Sequence, residues 1–344
     1  MDVLFLDFLY PRGHIRMNTE IINCLATISK VSVLCPKEWY SSVNAEVEML
    51  EIKKGTLGKG KLLNRLKILK VMKHSAALAR KRKFDYVFIS SYETVVFAIG
   101  RLLFRKNEKL FLLHNNNIDE LHNPIKRFFF KRYMKKVEHV VLEEFIGDYL
   151  VEAFDLDRDM VHTLPYPLYE NKLKESEHNI YSCVGLSNSN DSNIIDEIID
   201  IEKQQELFKK ENCKVVLKSK SMEFDNGYLT VVKGYLETDR YYEYINRAKC
   251  LLLPFPASFR YRMSGSLMDA LSNNKIVFGI DIPLIRFYAE KYPSVCKTVY
   301  NVADIFDYVC NMNPESTSED LGRFKNDHSS TVIAETLHDM FRRK

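Results

Sequence analysis

Between Phe255 and Leu271 the chain reads Phe-Pro-Ala-Ser-Phe-Arg-Tyr-Arg-Met-Ser-Gly-Ser-Leu-Met-Asp-Ala-Leu, a set of residue types suited to holding an anion. Ser264 predicts a helix N-cap, and Gly265 lets another group approach the backbone closely. The unpaired N–H groups of the first turn, at the positive end of the helix dipole, attract phosphate. Arg260 and Arg262 stand just before that turn and can add charge-assisted hydrogen bonds to a diphosphate. Asp269 follows about one turn later, where a carboxylate can accept from sugar hydroxyls. A plain capped helix with two solvated arginines would use the same residues.

A second set of candidates lies in the first half. His14 closes the run Pro11-Arg12-Gly13-His14 and could take a proton from a hydroxyl or hydrogen-bond to it. Glu93 follows the apolar run Tyr86–Ser90, as a base or as a complement to the dipole of the helix it opens. His114-Asn115-Asn116-Asn117 ends another apolar run, and asparagines there also suit a simple turn. Asp155-Leu156-Asp157 has metal-binding spacing but lies in a charged connection, so no metal is expected there. The sequence has no P-loop, no G-x-G-x-x-G, no H-E-x-x-H and no G-x-S-x-G elbow.

These residues need a scaffold that gathers them. Short apolar runs at Val3–Phe8, Val31–Cys35, Tyr86–Ser90, Leu110–His114, Val137–Leu142 and Val161–Leu164 alternate with helical stretches. One such stretch carries the stripe Leu62, Leu66, Leu69, Met72 and Ala76. Runs apolar throughout predict a parallel sheet covered on both faces. Leu164-Pro165-Tyr166-Pro167 then breaks regular structure. A second series has strands at Ile180–Gly185, Lys214–Leu217, Leu229–Val232, Cys250–Leu253 and Ile276–Phe278. Its helices fall near Asn193–Lys210, Arg240–Lys249, Ser264–Ser272 and Leu284–Lys291. With 344 residues but only 12 Gly and 10 Pro, the chain suits two doubly wound, Rossmann-like α/β domains facing a central cleft. The expected limits are 1–166 and 167–325, followed by 326–344, whose helix Thr331–Phe341 crosses back to the first domain. Open parallel sheets bind ligands beyond the carboxyl ends of their strands, where these candidates fall.

The run from Tyr261 to Phe278 resembles the donor-binding signature of GT-B glycosyltransferases, in particular the group 1-like enzymes of bacterial surface polysaccharides. Tyr181-Ser-Cys-Val-Gly185 is similar to the strand that opens their second domain, and Val231-Val232-Lys-Gly234 with Leu253-Pro254 to the passage before the signature. The resemblance implies an acceptor-binding first domain and a donor-binding second domain. It implies transfer of a hexose from a nucleotide diphosphate sugar to a glycan acceptor, lipid-linked, with no cofactor and no metal. It places Arg260, Arg262, Ser264, Gly265 and Asp269 on the donor and His114 at the donor sugar. His14 becomes the first choice of base and Glu93 the second, if the reaction inverts configuration. Two departures stand out. The paired glutamates of retaining enzymes, eight residues apart, are here Tyr261 and Asp269. Leu186–Asn193 contains no Arg or Lys, so phosphate neutralisation falls to Arg260, Arg262, or Lys218 and Lys220.

The net charge of +4 is uneven: residues 1–168 carry +7 and the remainder −3. Lys53–Lys83 holds twelve basic residues and no acidic one, and Lys126–Lys136 sets six cations around five large apolar side chains. Such blocks read as a solvated face, as a nucleic-acid surface (no recognised module accompanies them), or as contacts to anionic lipid. The third reading puts Phe128–Phe130 and Tyr133 in the interface and suits a lipid-linked acceptor. It predicts a cytoplasmic protein peripherally associated with the inner face of the cell membrane, with no nucleic-acid partner. Seven isolated cysteines fit reduced thiols. No apolar run approaches the roughly 18 residues of a membrane span, and no secretory signal is expected. Two other classes stay open: a non-catalytic nucleotide- or glycan-binding scaffold, and a sugar-nucleotide epimerase of the same fold.

Overall fold

The structure is a computed structural model that describes residues 1–7, 14–36, 39–52, 61–168, 179–311 and 317–343. The chain forms two compact units: Met1–Tyr169 with Tyr261–Met263 and Asp327–Lys344, and Glu170–Arg260 with Ser264–Asn326.

The first unit runs β1 (Asp2–Asp7), α1 (Ile15–Ile28), β2 (Lys30–Pro36), β3 (Glu48–Ile52), α2 (Lys61–Arg82), β4 (Tyr86–Ser91) and α3 (Thr94–Gly100). It continues with β5 (Lys109–Leu113), α4 (Pro124–Tyr133), β6 (Glu138–Val141), α5 (Glu144–Phe154) and β7 (Val161–Thr163). The strands form one parallel sheet in the order β3-β2-β1-β4-β5-β6-β7. Val3 to Leu6 and Val87 to Ile89 are buried because helices cover both faces. Asp7, at the carboxyl end of β1, is also buried. Its carboxylate accepts from the Tyr40 and Ser91 hydroxyls and from Asn18 Nδ2 at 3.2 Å, and those donors make the buried charge tolerable.

The second unit runs β8 (Tyr181–Gly185), α6 (Ser192–Gln205), α7 (Leu207–Lys210), β9 (Val215–Ser219), β10 (Phe224–Asp225), β11 (Leu229–Lys233), α8 (Thr238–Asn246) and β12 (Ala248–Leu253). Then come α9 (Gly265–Ser272), β13 (Ile276–Ile280), α10 (Pro283–Lys291), β14 (Cys296–Val299), α11 (Val302–Cys310) and α12 (Ser318–Asp327). The sheet order is β10-β11-β9-β8-β12-β13-β14, parallel apart from the short β10. Gly185 closes β8. A Cβ there would stand 2.9 Å from both Leu252 O and Leu217 Cδ2, so glycine alone fits between these strands. The last helix, α13 (Ser330–Arg342), packs on α1 within the first unit.

The chain winds outward from β1 and from β8, then reverses, leaving one switch point between β1 and β4 and another between β8 and β12. Such reversals send neighbouring loops apart and open a crevice at the strand ends.

Several expectations need correction. The buried stripe of α2 is Ile68, Val71, Met72, Ala76 and Ala79, while Leu66 is half exposed, because the helix is rotated from the expected phase. The helix expected over Asn193–Lys210 is two, broken where Glu206 turns left-handed (φ 50°). Lys249 belongs to β12, not to a helix. Strands β3, β10 and β14 were not evident in the sequence: all lie toward or at sheet edges, where half-exposed faces dilute the apolar signal. Phe130 and Tyr133 are core residues packed on Phe97 and Phe154, and only Phe128 of the expected interfacial set is strongly exposed. Among the described residues no helix is long and apolar enough to cross a membrane.

Candidate active site

At the first switch point a cavity of about 570 Å³ opens at the carboxyl ends of β4 and β5. His14, Asn64, Arg65, Ser91, Tyr92, Glu93, Asn115, Asn117, Glu120 and Lys126 are among its lining residues. The fold therefore brings His14 and Glu93 into one cavity. The Pro11–Gly13 part of the expected loop lies outside the described residues. His14 precedes α1, and burial lowers its pKa to about 4, so the ring is neutral at pH 7. Glu93 is the N-cap of α3: Oε2 accepts from Val96 N–H at 2.8 Å, and Oε1 lies 3.6 Å from Arg65 Nη2. Capping fixes the carboxylate and points its second oxygen away from the helix.

His114 is not available to a ligand. It is 1% exposed, and both ring nitrogens are engaged in a chain of hydrogen bonds. The Met134 carbonyl can only accept, so His139 Nε2 donates to it at 2.8 Å. His139 Nδ1 then accepts from His114 Nε2, and His114 Nδ1 accepts from the Tyr92 hydroxyl, each at 2.8 Å. The expected contact between His114 and a donor sugar does not fit this placement. The ring instead fixes Tyr92 from behind. Burial lowers the pKa of His114, with His139 a second cause, and brings His139 to about 4.

At the second switch point the loop after β8 meets the ends of its neighbours. Asn190 Nδ2 donates to Gly185 O at 2.8 Å and to Lys218 O at 3.0 Å, and Asp191 N–H donates to Pro254 O at 2.7 Å. Lys218, 3% exposed at the end of β9, donates to Asn188 Oδ1 and lies over the Tyr235 ring. It forms no ion pair with a described carboxylate, and burial followed by Lys220 lowers its pKa. Lys220 is exposed. Ser264 caps α9, accepting from Leu267 N–H at 3.2 Å, and Gly265 is exposed at the first position of that helix.

Two expected donor ligands are engaged elsewhere. Arg262 belongs with the first unit, where its Nε lies 3.0 Å from Asp119 Oδ2. Tyr261 N–H donates to Asp119 Oδ1 at 2.6 Å, and the Tyr261 ring stacks on Tyr149 at 3.6 Å. The Asp269 carboxylate accepts from the hydroxyls of Tyr241 (2.9 Å) and Tyr242 (3.1 Å) and is largely buried. Arg260 is exposed, with Nε donating to Ala257 O at 3.0 Å. Sequence reasoning missed Asn64, Tyr92, Asn188 and Asn190. The signal for the last two was present, since Ser187-Asn188-Ser189-Asn190 is a polar run directly after an apolar strand.

No family model matches this sequence, and no curated protein matches it. Solved structures share its fold. The Anabaena protein Alr3699/HepE, in complex with UDP and glucose, superposes with a TM-score of 0.67 at 11% identity, covering 100% of each chain. A glycosyltransferase from Rickettsia africae gives 0.64 at 12% identity over 99% of this chain and 97% of that one. The lipopolysaccharide outer core galactosyltransferase WaaB, in its apo form, gives 0.61 at 10% identity over 99% of both. The chain has the GT-B fold.

The buried imidazoles make stability depend on pH. Unfolded, His14, His114 and His139 titrate near 6.5, whereas the fold holds His14 and His139 near 4 and lowers His114 as well. Well above pH 6.5 all are neutral in both states; as pH falls through 6.5 toward about 4 the unfolded chain binds more protons and stability is lost. The melting midpoint should decline across that window. His139→Gln, which can keep both hydrogen bonds without titrating, should flatten the decline.

Proposed function

We propose that this chain transfers a hexose from a nucleotide diphosphate sugar to the hydroxyl of a glycan acceptor, lipid-linked, in the assembly of a surface polysaccharide. The observation that carries the reading is the division of chemistry between the two switch points. The first gathers a neutral imidazole and a fixed carboxylate in a cavity, and around the second a desolvated lysine lies at the end of β9 and a capped helix N-terminus follows β12. The shared fold, in structures that hold UDP and glucose or UDP-glucose, supports UDP as the nucleotide to test first.

In this reading the N–H groups of Gly265 and the next residues of α9, with Lys218, receive the diphosphate as negative charge builds on the leaving group. Arg260 and Lys220 add exposed charge beside them. His14 takes the acceptor proton, and the Glu93 carboxylate offsets the imidazolium that results. Charge on the diphosphate is met by these groups rather than by a divalent cation, so turnover should survive EDTA. The pairing of Arg262 with Asp119, and of Asp269 with two tyrosines, would suit a binding scaffold instead, so activity and binding must be separated.

The first basic block overlaps α2, and its part over residues 53–60 lies outside the described residues. Leu63, Leu66, Leu102, Ile125 and Phe128 are exposed on the first unit, and Arg132 lies 4.4 Å from the Phe128 ring centre. We propose that this face rests on anionic lipid, placing the first unit at the inner face of the membrane. The full chain should sediment with vesicles rich in anionic lipid and be released by salt; indifference to lipid charge would remove this part of the reading.

UDP at about 100 times its dissociation constant should add roughly 2.7 kcal/mol and visibly raise the melting midpoint. Lys218→Met should abolish that rise. His14→Gln should keep it while lowering sugar transfer by about 10²–10⁴-fold. A rise without any acceptor-dependent release of UDP from a UDP-hexose would favour the scaffold, and sugar conversion without acceptor would favour an epimerase.

A further inference from the structure

Three asparagines follow one another in the loop after β5, and their side chains are used differently. Asn115 Nδ2 donates to Ser90 O at 2.8 Å, and Asn117 Nδ2 donates to Tyr92 O at 2.9 Å. Both side chains are buried. Their amides carry the pairing of β4 and β5 past the end of the sheet, in the place of backbone N–H groups. The start of the same loop is held to β6, where His114 N–H donates to Val140 O at 2.9 Å.

Asn116, between the two, is exposed and lines the cavity. Its carbonyl accepts from Glu120 N–H at 3.3 Å. Among the described residues its side-chain amide has no hydrogen-bond partner. The bonds of its neighbours fix the backbone on either side, so little backbone entropy is left to lose when the amide binds. The Tyr92 carbonyl that receives the Asn117 bond directly precedes Glu93, so one ladder holds Asn116 and Glu93 in a set relation. The two cations of the wall are engaged with carboxylates: Arg65 faces Glu93 at 3.6 Å, and Lys126 Nζ lies 2.6 Å from Glu120 Oε2.

One planar amide offers two N–H donors and a carbonyl acceptor. Adjacent hydroxyls of a pyranose ring, each able to donate and to accept, can meet both ends of it at once. We propose that Asn116 is a ligand-contact residue of this cavity, reading adjacent ring hydroxyls of a sugar through its side-chain amide, with Asn115 and Asn117 as the positioning residues that hold it. This rests on the reading of the cavity as the acceptor site and names a contact within it. One or two neutral hydrogen bonds set the scale, roughly tenfold in affinity.

The full-length protein labelled with ¹⁵N reports the side-chain amide of Asn116 and the imidazole of His14, identified by the signals lost in Asn116→Asp and His14→Gln. The probes are methyl β-glucopyranoside and tetrahydropyranylmethanol, a similar ring without ring hydroxyls. The glycoside should shift both sets of signals, and the tetrahydropyran should leave those of Asn116 unmoved at the same concentrations. Asn116→Ala should keep the melting midpoint and weaken the glycoside, read at His14, by roughly tenfold. Asn117→Ala should weaken it as well but lower the midpoint, because the Tyr92 carbonyl loses its partner. A glycoside that moves His14 but not Asn116, that binds Asn116→Ala as tightly as the unaltered protein, or that is matched at Asn116 by the tetrahydropyran would overturn the proposal and leave the acceptor-site reading standing. Silence at both residues would overturn the two together.

Discussion

A parallel sheet whose winding reverses must leave its loops diverging at the reversal. Here it happens twice, between β1 and β4 and between β8 and β12. Each crevice is fastened by a buried polar group at a strand end. Asp7 draws together the hydroxyls of Ser91 and Tyr40 and the amide of Asn18. Asn190 ties the carbonyl that ends β8 to the Lys218 carbonyl of β9. Neither group needs to touch a ligand to matter, because each sets where the side chains around it stand.

Burial then gives the two crevices opposite characters. In the first, desolvation keeps His14 neutral, and the charged side chains of the wall pair with one another. In the second, desolvation acts on a lysine with no carboxylate beside it, beside a loop joined to the strand that leads to the capped helix. A cavity whose charges are paired suits a neutral hydroxyl compound and an uncompensated cation suits an anion. The proposed transfer needs one of each.

Much of the fold was legible in the sequence, because strands buried on both faces leave unbroken apolar runs and the helix starts carry their caps. Ser264 and Glu93 both cap helices where their positions after apolar strands indicated. Edge strands such as Glu48–Ile52 escaped because glutamates fall on both faces and only Ile52 is buried, so no alternation shows. The site was legible in its positions but not in its partners. Nothing in the spacing of Arg262 or Asp269 reveals that the first is held by Asp119 and the second by two tyrosines 27 and 28 residues upstream. The burial of His114 was equally hidden, since it depends on His139 arriving from the neighbouring strand β6. Motif spacing reports which loop a residue occupies, whereas pairings made across distant segments fix which of its atoms remain free.

Nucleotide binding at the second switch point is what the proposed transfer requires first. Hydrogen–deuterium exchange of the full chain with and without UDP tests it most directly. Exchange should slow in peptides spanning Ser187–Asn190, Lys218–Lys220 and Ser264–Met268, with the first-unit cavity peptides around Tyr92–Val96 and Asn115–Asp119 unchanged. Protection confined to those first-unit peptides, or none anywhere at saturating UDP, would contradict it.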